Sequence, residues 1–262
     1  MKPLQKNHLF LYLFLFLLPA LSLAAPSSEY WPIWDQANNS NKDSIDHDRW
    51  QQFLSEYLVE DAQGTHLVRY GAVTDIDRET LSNYLNDLSA LNPLNYHRDE
   101  QMAYWINLYN ALTVQLILDN YPVDSIRDLG GFFKFGPWDD ELIVVNGTEL
   151  SLNDIEHRIL RPIWQDKRIH YAVNCASIGC PNLLATAYTA EQLEAQLEHA
   201  TKNFINQEKA VRLVRGKLTL SSIYDWYAED FGTMDELKLH LLTYLGADKR
   251  SRLEKHQGKH DY

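Results

Sequence analysis

Over residues 99–118 the chain carries apolar side chains on every side of a helical wheel. Met102, Trp105, Ile106, Tyr109, Leu112, Val114, Leu116 and Ile117 fall on several faces instead of one stripe. A helix that is hydrophobic all round is stable only when surrounded, so this segment predicts a central helix with the other elements packed about it. Asn107 and Asn110 interrupt it at i, i+3 and share a face. A buried amide without partners costs about 1 to 3 kcal/mol, so each must bond something specific. A neighbouring loop and a bound molecule are both open as partners, and both residues are candidates for binding a substrate.

The surrounding pattern supplies elements to cover that helix. Residues 45–58 and 75–91 have helical spacing, 66–73 alternate like a strand, and Asn146-Gly147 between two apolar runs is the signature of a tight β-hairpin. Ser151 and Asp154 form a helix start, with Pro162 expected to stop that helix near Leu160. Later come a helix capped by Thr189 and Gln192, a hairpin around Arg215-Gly216, a helix from Ser221 or Ser222, and a last helix capped by Thr233 and Glu236. Helices first, then strands interleaved with helices, predict a single α+β domain over residues 25–262, with a mainly antiparallel sheet packed on the long buried helix. The Asn-, Ser- and Asp-rich segment 27–48 is expected to wrap the surface. Loop 130–138, rich in glycine and aromatics, is a candidate cover for a cleft or a plain connector.

Residues 1–24 read as a cleaved secretory signal: Lys2 and Lys6, an apolar run over 9–18, Pro19, then Ser22-Leu23-Ala24. The run is too short for a membrane span, which needs about 20 apolar residues, so no stable membrane anchor is expected after cleavage. The expected location is periplasmic or secreted. The chain's formal net charge is -12, and losing Lys2 and Lys6 takes it to -14. That balance argues against nucleic acid as a partner. A peptide or small-molecule ligand is the partner class left open.

Both cysteines lie in one segment, 168–183. Alternation over 169–174 predicts a strand with His170 and Asn174 on one face and Cys175 at its end. Such a pair offers a thiolate nucleophile, a disulfide or part of a metal site. Extended, Cys175 and Cys180 would stand roughly 16 Å apart, so a bond requires the chain to reverse through Ala-Ser-Ile-Gly. An oxidising compartment favours that bond. The spacing of His157, His170, Cys175 and Cys180 falls outside compact zinc patterns, so no metal is assigned and no cofactor is implied.

The strings Tyr-Trp-Ile-Asn-Leu-Tyr-Asn-Ala-Leu-Thr (104–113), Ser-Leu-Asn-Asp-Ile-Glu-His-Arg-Ile-Leu-Arg (151–161), Arg-Ile-His-Tyr-Ala-Val-Asn-Cys-Ala-Ser-Ile-Gly-Cys-Pro (168–181) and Ser-Ile-Tyr-Asp-Trp-Tyr-Ala-Glu-Asp-Phe (222–231) closely resemble the family known as domain of unknown function 547. The resemblance covers about 98–231. It implies a domain assignment and points to four blocks without supplying an activity.

Each block brings polar groups from an otherwise apolar segment. Asn107, Asn110, Glu156, His157, His170, Asn174, Cys175 and Asp225 or Asp230 are therefore expected to converge on one cleft. As a Cys-His hydrolase or acyl transferase acting on an amide or peptide, the site would use Cys175 as nucleophile and His157 or His170 as base. Glu156 would orient the imidazole, and the 176–179 backbone would stabilise an oxyanion. The alternative is a non-catalytic binding module with a structural Cys175–Cys180 disulfide, its cleft lined by Asn107, Asn110 and Asn174. A long helix followed by strands is also compatible by analogy with the papain and transglutaminase superfamily. Chain order works against it, since those enzymes place the nucleophilic cysteine at the start of the central helix.

Overall fold

The computed structural model describes residues 26–130 and 136–262. The expected signal, 1–24, and the centre of the 130–138 loop lie outside the described residues. Helix α1 (Asp48–Tyr57) and α2 (Asp75–Ala90) precede the central α3 (Arg98–Asp119). Thr74 caps α2 by accepting from the Asp77 backbone N–H at 3.1 Å. Every residue of 101–114 in α3 is buried, as its all-round apolar pattern demands. Helix α2 and the segment after residue 150 pack directly on α3.

The strands form three small sheets, not the one sheet expected. β1 (Leu58–Glu60) pairs antiparallel with β2 (His66–Val68), and β3 (Ile143–Val145) with β4 (Thr148–Leu150). β5 (Val211–Val214) pairs antiparallel with β6 (Lys217–Leu220), which takes β7 (His260–Asp261) in parallel. Each antiparallel pair is local in sequence, and the turn residues dictate the hairpins. Asn146 and Gly147 adopt φ of +49° and +77°, and Arg215 and Gly216 +51° and +80°, the left-handed conformations of a type I′ turn. Strands this short cannot extend past their own hairpin, so helices do most of the covering of α3.

Two apolar clusters result. The larger surrounds α3 and includes Trp34, Trp50, Phe53, Leu85 and Leu197. The smaller gathers residues of α4 (Leu193–Asn206), β5, β6 and α5 (Met234–Tyr244) around Phe204, Tyr224 and Phe231. Thr233 and Glu236 form the predicted capping box of α5. Helix α4 instead lacks a side-chain cap at Gln192; Gln196 reaches back and accepts from the Thr189 N–H at 3.0 Å.

Two further expectations are corrected. Residues 27–48 do not merely wrap the surface: Trp34, Ile45 and His47 are buried, and Trp34 meets Trp105 of α3 edge-on at 5.2 Å. The segment predicted as a strand over 169–174 is one turn of helix, Ile169–Ala172, followed by extended chain. The Asp166 carboxylate accepts from the Arg168 N–H at 2.8 Å and starts the turn. Ile169 and Ala172 enter the larger cluster and Tyr171 the smaller, while His170 points to a polar cluster between them. Burial in three directions suits a rotation of about 100° per residue and defeats the two-sided geometry of a strand.

Candidate functional site

Ser151 and Asp154 open a helical run as expected: Asp154 Oδ2 accepts from Ser151 N at 2.9 Å and Ser151 Oγ at 2.7 Å. The run then departs from expectation. Asp154–Leu160 winds as a π-helix, Arg161–Trp164 continues as α-helix, and Pro162 lies inside the run instead of ending it. The Arg161 N–H donates to Glu156 O, five residues back. In that register Pro162 faces His157 O, and in the α register it faces Arg158 O; having no N–H, it serves neither carbonyl. The N-terminal segment supplies donors to both carbonyls, Glu29 N to His157 O at 2.9 Å and Trp31 N to Arg158 O at 3.2 Å. An internal proline is thereby tolerated, and the extra residue of the π turn re-aims Glu156, His157 and Arg161.

Those three side chains meet His170 and Asp230 in a buried charged cluster. Arg161, with a side chain 2% exposed, donates from Nε to Asp230 Oδ2 at 2.6 Å, from Nη2 to Glu229 Oε1 at 2.7 Å, and from Nη1 to Pro26 O at 2.8 Å. Nη1 also meets His157 Nδ1 at 2.9 Å. A guanidinium can only donate, so His157 Nδ1 is the acceptor and the ring is the neutral Nε2–H tautomer. Burial, ahead of the neighbouring Arg161 charge, pulls the His157 pKa down, against the opposing pull of Glu156.

His170 donates from Nε2 to Asp230 Oδ2 at 2.7 Å and stacks on Tyr227 at 4.0 Å between ring centres. Its Nδ1 lies 3.8 Å from Glu156 Oε1, and both buried atoms lack a hydrogen-bond partner among the described residues. Burial pushes the Glu156 carboxyl up, while His170 and Tyr227 pull it down, and the group ends below its usual value. Burial also raises Asp230, and hydrogen bonds from His170 and Arg161 prevail, to about 2. Burial, with the Glu156 carboxylate beside it, pushes the Tyr109 hydroxyl of α3 well above its usual pKa.

Beside this cluster opens a cavity of about 680 Å³. Asp35, Asp166, Glu229 and Asp230 line it with Lys167, the edge of Arg161, Ser28 and Tyr30. Asp230 links cluster and cavity. Its Oδ2 is used twice inside, whereas Oδ1 has no hydrogen-bond donor among the described residues.

The cysteine segment is built separately. Cys175 and Cys180 are joined in a disulfide with Cα atoms 6.2 Å apart, and the chain reverses through Ala176 at φ +56°. Asn110 holds the approach, donating to Ala172 O at 2.9 Å and accepting from Asn174 N at 2.9 Å. Asn174 accepts from Ala176 N at 2.8 Å and donates to Pro181 O at 2.5 Å. Lys209 clamps the far side, donating to Ile178 O at 3.1 Å and Cys180 O at 2.7 Å. Asn107 performs the same service elsewhere, bonding Tyr188 O at 2.8 Å and Tyr188 N at 2.9 Å. The candidate residues thus divide. Glu156, His157, His170 and Asp230 meet, and Asp225 is exposed. Asn107, Asn110, Asn174 and Cys175 are bonded to backbone or to Cys180. Arg161, Tyr227 and Glu229 were not singled out as site residues in the sequence. Arg161 had one legible signal, its i+4 position from His157.

No group of three or more His, Cys, Asp or Glu side chains among the described residues is arranged to hold a metal ion. No helix among them is long and apolar enough to cross a membrane.

A mixed helix-and-sheet fold around a buried charged cluster is the class of protein this structure defines. Residues 93–205 match the family described as Protein of unknown function, DUF547, which supports the resemblance over that part of the chain. The match takes in the blocks 104–113, 151–161 and 168–181 and ends before 222–231, which supplies Tyr227, Glu229 and Asp230. No curated protein and no solved structure matches the chain, so the papain and transglutaminase analogy finds no support.

Proposed function

We propose that this is an exported protein, periplasmic or secreted, whose acidic cleft binds a peptide or small-molecule ligand through a cationic or hydrogen-donating group. The observation that carries this reading is the cleft wall: four carboxylates face it, and Asp230 stays ionised with an oxygen to spare. A protonated amine or guanidinium is the natural counterpart of such a wall. Arg161 offsets part of that charge by pairing with Asp230 and Glu229, as Arg98 does for Asp35 and Arg168 for Asp166, and the oxygen left for a ligand is Asp230 Oδ1. In this reading the Cys175–Cys180 disulfide is structural. Thiol chemistry at Cys175 would first require reduction of that bond.

Titration with short lysine- or arginine-containing peptides, followed by NMR shifts or calorimetry, tests the reading. Binding should weaken about tenfold or more when Asp230→Asn removes the open carboxylate, since a charge-assisted hydrogen bond contributes about 1.5 to 3 kcal/mol. Equal affinity for a dicarboxylate such as succinate, or binding indifferent to that substitution in a folded variant, would overturn it.

A further inference from the structure

Residues 26–31 lie extended across the π turn, and every main-chain contact they make there is one that any polypeptide offers. Pro26 gives its carbonyl to Arg161 Nη1 at 2.8 Å, and Ser28 gives its N–H to Glu229 Oε1 at 2.8 Å. Glu29 and Trp31 give theirs to His157 O and Arg158 O, the two carbonyls that Pro162 cannot serve, at 2.9 and 3.2 Å. Main-chain N–H groups given to carbonyls of a neighbouring backbone, here from Glu29 and Trp31, are how a peptide docks on an exposed backbone edge. Side-chain reading is confined to one end. Arg158 packs over the Trp31 ring at 3.8 Å and approaches Glu29 at 3.6 Å.

We propose that the surface formed by His157 O, Arg158 O, Arg161 and Glu229 is a peptide-binding groove, that its ligand class is an extended polypeptide with an aromatic residue placed over Arg158, and that residues 26–31 are its built-in occupant. The carbonyl pair makes the case. Mid-helix carbonyls that a proline cannot serve call for outside donors, and the fold meets that requirement with the segment that leads into buried Trp34. Because Ser28 and Tyr30 also form part of the cavity wall, release of the segment would join groove and cavity into one larger site. The groove does not depend on what the acidic cleft binds.

An attached segment competes with a free peptide at high effective concentration, so the free peptide's apparent affinity scales with the fraction of molecules whose groove is open. The test uses a fluorescein-labelled peptide of residues 26–32 and the full exported chain, wild type and two variants, Ser28→Pro and Trp31→Ala. The first removes the N–H given to Glu229; the second removes the ring under Arg158. Wild type should bind weakly and each variant about tenfold more tightly. A peptide N-methylated at the Glu29 and Trp31 nitrogens should bind none of them. Folded variants that bind no better than wild type, or equal binding of the methylated peptide, would overturn the proposal. Should both variants fail to fold, hydrogen exchange on wild type decides. Glu29 and Trp31 amides that exchange by local opening support a releasable segment, and exchange only through global unfolding refutes it.

Discussion

The charged cluster under residues 26–31 and the disulfide loop at 175–180 are neighbours in sequence but opposites in construction. The cluster is buried, ionised and held by hydrogen bonds contributed from four distant stretches of chain. The loop has an exposed tip, with Ile178 77% accessible, and is held by one covalent bond and a few local amide and lysine contacts. Cysteine is the more reactive residue type, yet here it closes a turn. The groups with unspent capacity, Asp230 Oδ1 and the His170–Glu156 gap, lie in the cluster. Reactive residue types alone do not locate a site; unfilled hydrogen-bonding capacity beside a cavity is the better guide.

If that contrast is right, the two regions respond very differently to mutation. Arg161→Met should cost about 3 to 5 kcal/mol in urea unfolding, because it removes the guanidinium bonded to Asp230 and Glu229, leaving His170 as the donor to Asp230 and no guanidinium near Glu156. A loss below about 1 kcal/mol would mean that the cluster is far more hydrated than its burial indicates. Acid should act on the same scale. His47 is buried beside Tyr84, and burial lowers its pKa from 6.5 to about 4. The unfolded chain therefore binds this proton at a pH where the folded chain refuses it, and stability falls as pH drops from 6.5 to 4, by roughly 3 kcal/mol for this residue. Asp230, depressed to about 2, and Glu156, shifted in the same direction, contribute stability present above their unfolded values near 4 and lost as pH falls through their folded values. Denaturant midpoints measured from pH 7 to 3 should show the first window before the second begins.

Substitutions around the loop have smaller expected effects. Asn110→Ala leaves Ala172 O and Asn174 N without this partner and should cost up to about 3 kcal/mol. Replacing both cysteines by alanine should cost roughly 2 kcal/mol, the chain-entropy value for so short a loop, and should leave ligand binding in the cleft intact. Loss of cleft binding in the stable double variant would show that loop and cluster act as one site.

The sequence made the central helix legible because its apolar residues cover every face, and it made the hairpins legible because Asn146-Gly147 and Arg215-Gly216 have few backbone options. Glu156, His157 and His170 stood out as polar groups in apolar segments, and they do meet. Pro162 misled: a proline ends a helix unless something else serves the carbonyls it abandons, and the donors, Glu29 and Trp31, lie more than a hundred residues away. Residues 169–174 misled for a related reason, since alternation reads as a strand only when burial has two sides. Arg161 and Glu229 gave little warning, because their partners are backbone and carboxylates brought in by distant chain.

The central claim is that Cys175 and Cys180 close a structural loop while recognition belongs to the carboxylate-lined cleft. Iodoacetamide treatment of the native protein, read by intact-mass spectrometry before and after reduction, tests it most directly. The account predicts no adduct without reductant, two adducts after reduction and unfolding, and cleft binding unchanged by reduction alone. A single fast adduct on Cys175 in the unreduced native protein, with loss of activity or binding, would contradict it.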